Sequence, residues 1–206
     1  MAITGTVHAR CPGCDRGQDC ALVQSIDARA EPAVKARLLA GELNVLACAC
    51  GRTSQLQATV LYRDPDAGWF CQVCPGGDRA MAEGEAAFRA AGVSGTLRLV
   101  PSLNALIEKL RILDAGLVDW AIEMTKVLLL STIAADAGGP ELDRVLLFTG
   151  VDGDHLRWLR FDADGPRPVA SPLAAYRRLA DRARSAPGPG ELRVDRAWAV
   201  EAVRAL

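Results

Sequence analysis

Cys11-Pro12-Gly13-Cys14 and Cys48-Ala49-Cys50-Gly51 are two close cysteine pairs on two separate turns, a CxxC and a tighter CxC that closes the first strand of a hairpin. Zinc takes four thiolates in a tetrahedron, and two half-sites on two separate turns are how a ribbon-type domain supplies them. The spacing therefore names Cys11, Cys14, Cys48 and Cys50 as ligands of a structural Zn2+. Turn residues next to such cysteines let backbone N–H groups reach the sulfurs and spread their negative charge. Arg10, Arg16 and Arg52 flank the two pairs with positive charge. Spacing leaves two alternatives open. Cys71-Gln72-Val73-Cys74 is a further half-site that could replace Cys48 and Cys50, and Cys20 is a spare thiol.

Working outward, Pro32 suits the first position of a helix over Ala33–Ala40, with Gly41 just beyond its end. Leu43–Ala47 and Gln55–Tyr62 read as two strands of a hairpin turning near Gly51 and Arg52. The run Arg63-Asp64-Pro65-Asp66-Ala67-Gly68 reverses the chain again into Trp69–Val73. Ser102 is placed to cap a helix in which Leu103, Leu106, Ile107, Leu110 and Leu113 recur on one face, and Arg98–Val100 extends the sheet before it. A longer helix from Leu117 to about Ala137 follows the break at Asp114-Ala115-Gly116. Beyond Pro140, strands over Arg144–Thr149 and His155–Phe161 flank the turn Asp152-Gly153-Asp154. A helix over Pro172–Ala186 and a terminal helix capped by Asp195 complete the chain.

The expected class is α+β: an N-terminal zinc-ribbon-like β unit with a helix, a central helical hairpin and a small C-terminal α+β segment. The expected domains are residues 1–137, with a cysteine-rich part at about 4–77 and a helical part at about 78–137, and residues 138–206. The 24 Lys and Arg nearly cancel the 25 Asp and Glu, for a net charge of −1 among 206 residues. Such a balance gives no field that would draw nucleic acid. The longest apolar stretch, Val127–Ala135, is interrupted by Ser131 and Thr132 and falls short of the roughly 20 residues that span a bilayer. With no leader pattern at residues 1–10, the cytoplasm is expected, and the odd count of 7 cysteines then argues for metal over disulfides.

The motifs also resemble those of the CpXC family of bacterial and archaeal proteins. The similar stretches are Cys11-Pro12-Gly13-Cys14, Leu38–Asn44, Cys50-Gly51, Leu61-Tyr62-Arg63-Asp64-Pro65, Leu103–Leu110 and Asp119–Lys126. They cover about residues 7 to 130. The resemblance implies metal binding by Cys11, Cys14, Cys48 and Cys50 and brings no activity with it. One departure is plain: a CxxC partner for Cys50 would fall at Ala47, and this chain has its cysteine one residue later.

Catalytic readings rest on less. Cys71 and Cys74 as a redox pair would need a helix N-terminus, and Pro75-Gly76-Gly77 is expected to keep a helix away. His8 and His155 stand far apart with no zinc-protease spacing. Glu108, Asp119 and Glu123, with Lys109 and Lys126, could meet between antiparallel helices; the ordinary reading is a solvated face with Glu–Lys pairs, the alternative a hydrolase or transferase site. Arg177, Arg178, Arg182 and Arg184 are read as charged surface rather than an anion patch. The leading expectation is a non-enzymatic protein that binds another protein or itself, with no small-molecule substrate identified; a nucleic-acid-binding ribbon ranks third.

Overall fold

A computed structural model describes residues 3–137, 145–162, 165–182, 186–188 and 190–206, with side chains 134–137 excepted. It is α+β, and its residues form two compact units, 1–107 and 108–206. No helix among the described residues is long and apolar enough to cross a membrane.

In the first unit, β1 (Ile3–Arg10) and β2 (Gly17–Asp27) make a long antiparallel hairpin. Helix α1 (Pro32–Leu39) leads into a small ribbon of β3 (Val45–Ala47) and β4 (Thr53–Gln55). Strands β5 (Val60–Asp64) and β6 (Trp69–Val73) form a second hairpin. Helix α2 (Gly77–Ala91) then carries the chain to β7 (Thr96–Val100). Five strands make one sheet in the order β1-β2-β5-β6-β7, with β2 parallel to β5 and β6 parallel to β7. The mixed order follows from the connections: tight turns join antiparallel neighbours, whereas parallel neighbours need a crossover, here α1 with the small ribbon and then α2.

Two expectations change. The ribbon partner of β3 is Thr53–Gln55, and Val60–Asp64 leaves for the large sheet, so the single strand expected over Gln55–Tyr62 is divided. Leu56–Thr59 alternate in burial as a strand does although they join no ladder, which is why the strand signal there carried across a break. Helix α2 begins at Gly77, the last residue of the Pro75-Gly76-Gly77 run that was expected to hold a helix off. Gly77 has φ +68, so the glycine turns the chain into the helix rather than preventing it.

Helix α3 (Leu103–Asp114) crosses the division between the units, and Ser102 Oγ accepts the Ala105 N–H at 3.2 Å as its cap. The second unit continues with α4 (Asp119–Ala137) and the three-stranded meander β8 (Val145–Asp152), β9 (His155–Asp162) and β10 (Gly165–Pro172). Helices α5 (Leu173–Ala180) and α6 (Arg196–Arg204) follow, the latter capped by Asp195 Oδ1 on the Trp198 N–H. The helix expected over Pro172–Ala186 stops at Ala180, while residues 183–185, Arg184 among them, lie outside the described residues.

The core of this unit joins Ile112, Ala121, Ile122 and Met124 to Leu146, Phe148, Leu156 and Trp158. Phe148 and Trp158 meet edge to face at 5.7 Å between ring centres. Residues 121–127 of α4 are buried on every side. Such a helix has no polar face left, so the charged residues within it must find partners inside.

Candidate metal centre

Both cysteine pairs occupy hairpin tips. Arg10 and Gly17 are the last paired residues of β1 and β2, and Ala47 and Thr53 the last of β3 and β4. The Cys11 N–H donates to the Arg16 carbonyl at 3.0 Å and the Asp15 N–H to the Cys11 carbonyl at 2.9 Å. Asp15 takes φ +56 to close that turn. At the second tip, Cys48 N–H donates to Arg52 O and Gly51 N–H to Cys48 O, each at 2.9 Å, with Gly51 at φ +86. A residue with a Cβ is strained there, so glycine permits the tight turn.

The CxC spacing has a local cause. Side chains alternate along β3, so Leu46 is buried and Ala47 exposed, and the next inward position is Cys48. A cysteine at position 47 would sit on the outer face. The one-residue displacement from a CxxC therefore turns the thiol inward.

All four sulfurs, Cys11, Cys14, Cys48 and Cys50, lie within 4.8 Å of one another. Across the two tips, Cys11 and Cys50 are 3.6 Å apart and Cys14 and Cys48 3.5 Å. These gaps are far beyond a disulfide bond of about 2.05 Å. Cys11 and Cys48 are buried and Cys14 and Cys50 exposed, so the cluster lies at the surface with an inner wall of Leu46, Val7, Ala9 and Leu56.

Backbone donors surround the sulfurs. The Gly13 N–H points at Cys11 Sγ from 3.4 Å, and with Cys14 N–H and the neighbouring thiols it lowers the Cys11 thiol to about 7 against the resistance of burial. The Arg52 N–H favours the Cys50 thiolate, yet hydrogen bonds with Cys48, Cys11 and Cys14 together with burial raise it to about 11. The Cys11 thiolate is thus favoured and that of Cys50 opposed, and a bound cation would offset the opposition at Cys50. The N–H donors are those of Gly13 and Cys14 at the first tip and Arg52 at the second, where Gly51 shapes the turn. The Arg52 side chain lies over Gly13, where an added Cβ would come within 2.6 Å of Cδ.

The ribbon is tied to the large hairpin by Asn44. Its amide accepts the Val23 N–H at 2.7 Å and donates to the Val23 carbonyl at 3.0 Å, so it pairs with β2 as another strand would. Asn44 is buried and has φ +54, a conformation asparagine tolerates better than most residues. Gln18 Nε2 adds a bond to the Ala47 carbonyl at 3.1 Å.

The remaining cysteines lie elsewhere. Cys20 faces Val7 across the β1–β2 ladder, buried beside the cluster but outside it. Cys71 pairs across the sheet with Tyr62, whereas Cys74 Sγ is so close to α2 that a Cβ on Gly84 would meet it at 2.9 Å. Cys74 N–H still bonds Val100 O, continuing the ladder. Residues three apart on a strand face opposite sides, and Cys74 Sγ lies with Gln72 Nε2 beside Gly84, which counts against this pair as a half-site or a redox dithiol. That alternation, rather than a missing helix, sets the redox reading aside. Both histidines are exposed, and His8 Nδ1 is 2.9 Å from Asp19 Oδ1.

Residues 9–126 match the protein family described as "CpXC protein". This chain belongs to the CpXC family. The CpXC match takes in both cysteine turns, Asn44 and the start of α4. Neither a curated protein nor a solved structure matches the chain.

The acidic residues of α3 and α4 also converge, but not as a solvated face. Lys109 Nζ lies 3.0 Å from Glu123, 3.2 Å from Asp119 and 2.7 Å from the Val194 carbonyl. Lys126 Nζ lies 2.8 Å from Glu108 and 3.2 Å from Glu123. Glu108 Oε1 also accepts the Phe148 N–H. Glu108, Lys109, Glu123 and Lys126 are all buried. Burial works against the charge of Glu123, but Lys109 and Lys126 overcome it and hold the carboxyl below its usual range. Burial wins at Glu108, assisted by the negative charge of Glu123, and raises it despite Lys126. Spacing showed that these residues could meet. Burial was not visible, because Glu and Lys at helical intervals look alike on an exposed face and in a closed network.

Proposed function

We propose that this CpXC protein holds one structural Zn2+ on Cys11, Cys14, Cys48 and Cys50 and acts as a protein-interaction module in the cytoplasm. The observation that carries the reading is the sulfur geometry. Four ligands at about 2.3 Å from a tetrahedral zinc lie about 3.8 Å from one another, and separations of 3.5 and 3.6 Å within a 4.8 Å cluster fit that figure. All four ligand positions are protein thiols, which favours a closed structural site over a catalytic one with an open water position. Bound there, zinc would pin two hairpin tips, adding to the links made by Asn44, Gln18, the Arg52 side chain over Gly13 and a small apolar cluster.

A binding role is supported by side chains the fold leaves outside. Val145 and Phe161 are cross-strand neighbours with 50% and 39% exposure, on a sheet face whose other pair is Leu147 with Leu159. The hydrolase alternative loses support because Glu108, Asp119 and Glu123 are each held by a buried lysine. The partner is another protein or a second copy of the chain. Sedimentation of wild type and F161E tests this part: the reading expects a complex or dimer that F161E weakens, and a monomer with no partner in cross-linked cells would defeat it. For the metal, C14S and C50S should abolish stoichiometric zinc while C20A, C71A and C74A retain it.

A further inference from the structure

The second unit contains a cavity of about 370 Å³ between α4, α5 and the end of β10. Its walls are apolar: Leu128 and Leu129 from α4, Pro172, Ala175 and Leu179 from α5 and its cap, and Leu206. Each of the three hydroxyls that line it makes one hydrogen bond within the protein. Thr125 donates to the Ala121 carbonyl at 2.7 Å, Thr132 to the Leu128 carbonyl at 3.1 Å, and Ser171 accepts the Trp158 indole N–H at 2.9 Å. Beside the Ser171 hydroxyl, which keeps its own proton, Arg178 near the end of α5 and Arg182 just beyond it are the lining groups able to donate to a polar ligand. Neither makes an ion pair or side-chain hydrogen bond among the described residues. Asp181, between them in sequence, does not line the cavity.

A pocket of mostly apolar wall with a few convergent polar groups is the usual form of a small-molecule site. Two guanidiniums among the lining groups select an anion, and their planar donor forks match a carboxylate. The apolar remainder disfavours a small fully hydrated anion, since burying such an ion without partners is expensive. At roughly 30 Å³ for each water-sized volume, the cavity has room for about a dozen non-hydrogen atoms.

We propose that this cavity binds a medium-chain alkyl carboxylate, with its chain between α4 and α5 and its carboxylate on Arg178 and Arg182. The site lies almost wholly beyond residue 126, so it belongs to this chain's C-terminal part and not to the stretch shared with the CpXC family. It does not depend on the metal centre.

Isothermal titration of the full chain with decanoate, below its micelle concentration, tests the proposal. One decanoate per chain should bind, with acetate and decyltrimethylammonium failing to bind. The exposed double variant R178Q/R182Q should weaken decanoate at least tenfold, and A175F should abolish binding by filling the cavity. Should A175F fail to fold, R178Q/R182Q decides the matter by itself, with circular dichroism verifying its fold. Decanoate binding unchanged in R178Q/R182Q, equal binding of the cationic amphiphile, or no decanoate binding at all would overturn the proposal.

Discussion

Replacing Glu123 by Gln and Glu108 by Gln should have very unequal effects, although both carboxylates are buried and both touch Lys126. The network holds Glu108, Asp119 and Glu123 against Lys109 and Lys126, three negative groups and two positive. Protonating one carboxyl makes it neutral, and Glu108 is the one that burial and Glu123 push upward. E108Q therefore mimics the state the interior prefers, keeps an oxygen for the Phe148 N–H, and should change stability by less than about 1 kcal/mol at neutral pH. E123Q removes the group that both lysines face. Breaking a buried pair by deleting one partner costs about 3–5 kcal/mol; Lys109 keeps Asp119 and the Val194 carbonyl, so about 3 kcal/mol is expected.

The pH dependences have opposite sign. Glu123 has a folded pKa below its unfolded value of about 4.3, so its contribution is present above that value and lost as pH falls through the folded one. Glu108 has a raised folded pKa, so its contribution is complete below about 4.3 and lost as pH rises through the folded value. E108Q should thus gain on wild type as pH is raised from 4 toward 7. In E123Q, Glu108 becomes the main partner of Lys126, so the double variant should be less stable than the two single effects summed. Urea denaturation of the four proteins at several pH values measures all of this. Equal destabilisation by E108Q and E123Q, or additivity in the double variant, would refute the reasoning.

Asn44→Ala should destabilise the cysteine-rich unit by about 2–3 kcal/mol, since it strands the Val23 N–H and carbonyl and leaves alanine at a positive φ; Asn44→Asp should recover the Val23 N–H bond alone, and denaturant melts of the metal-loaded protein would show the order. Ile122→Ala, in the core of the second unit, should cost about 2–5 kcal/mol without changing metal content. A strong zinc chelator should remove amide hydrogen-exchange protection from residues 7–56 while the β8–β9 hairpin of residues 145–162 keeps it; uniform loss would show that the metal does not act locally.

Much of the fold was legible because its signals are local. Pro32 and Gly41 bracket α1, Ser102 and Asp195 cap their helices, and the turn at Asp64–Gly68 sets the β5–β6 hairpin. The four cysteines were legible from spacing and from the family resemblance together, whereas spacing alone could not choose between Cys48 with Cys50 and Cys71 with Cys74. That choice is made by strand pleat: Cys48 falls in step with Leu46, and Cys71 and Cys74 fall on opposite faces. Asn44 was quoted only as part of a motif, because a side chain that completes a backbone ladder has no periodicity to reveal it. The cavity beside Arg178 and Arg182 was hidden for a related reason: three-dimensional packing of α4 on α5, not the local charge pattern, makes two surface arginines the rim of an apolar pocket.

X-ray absorption at the zinc edge, on protein purified without chelator and quantified for metal, tests the central claim most directly. One zinc per chain with four sulfur neighbours at about 2.3 Å is the result the four-thiol centre predicts. Zinc-free protein that keeps its cysteine-rich unit folded, or a first shell containing nitrogen or oxygen, would contradict it.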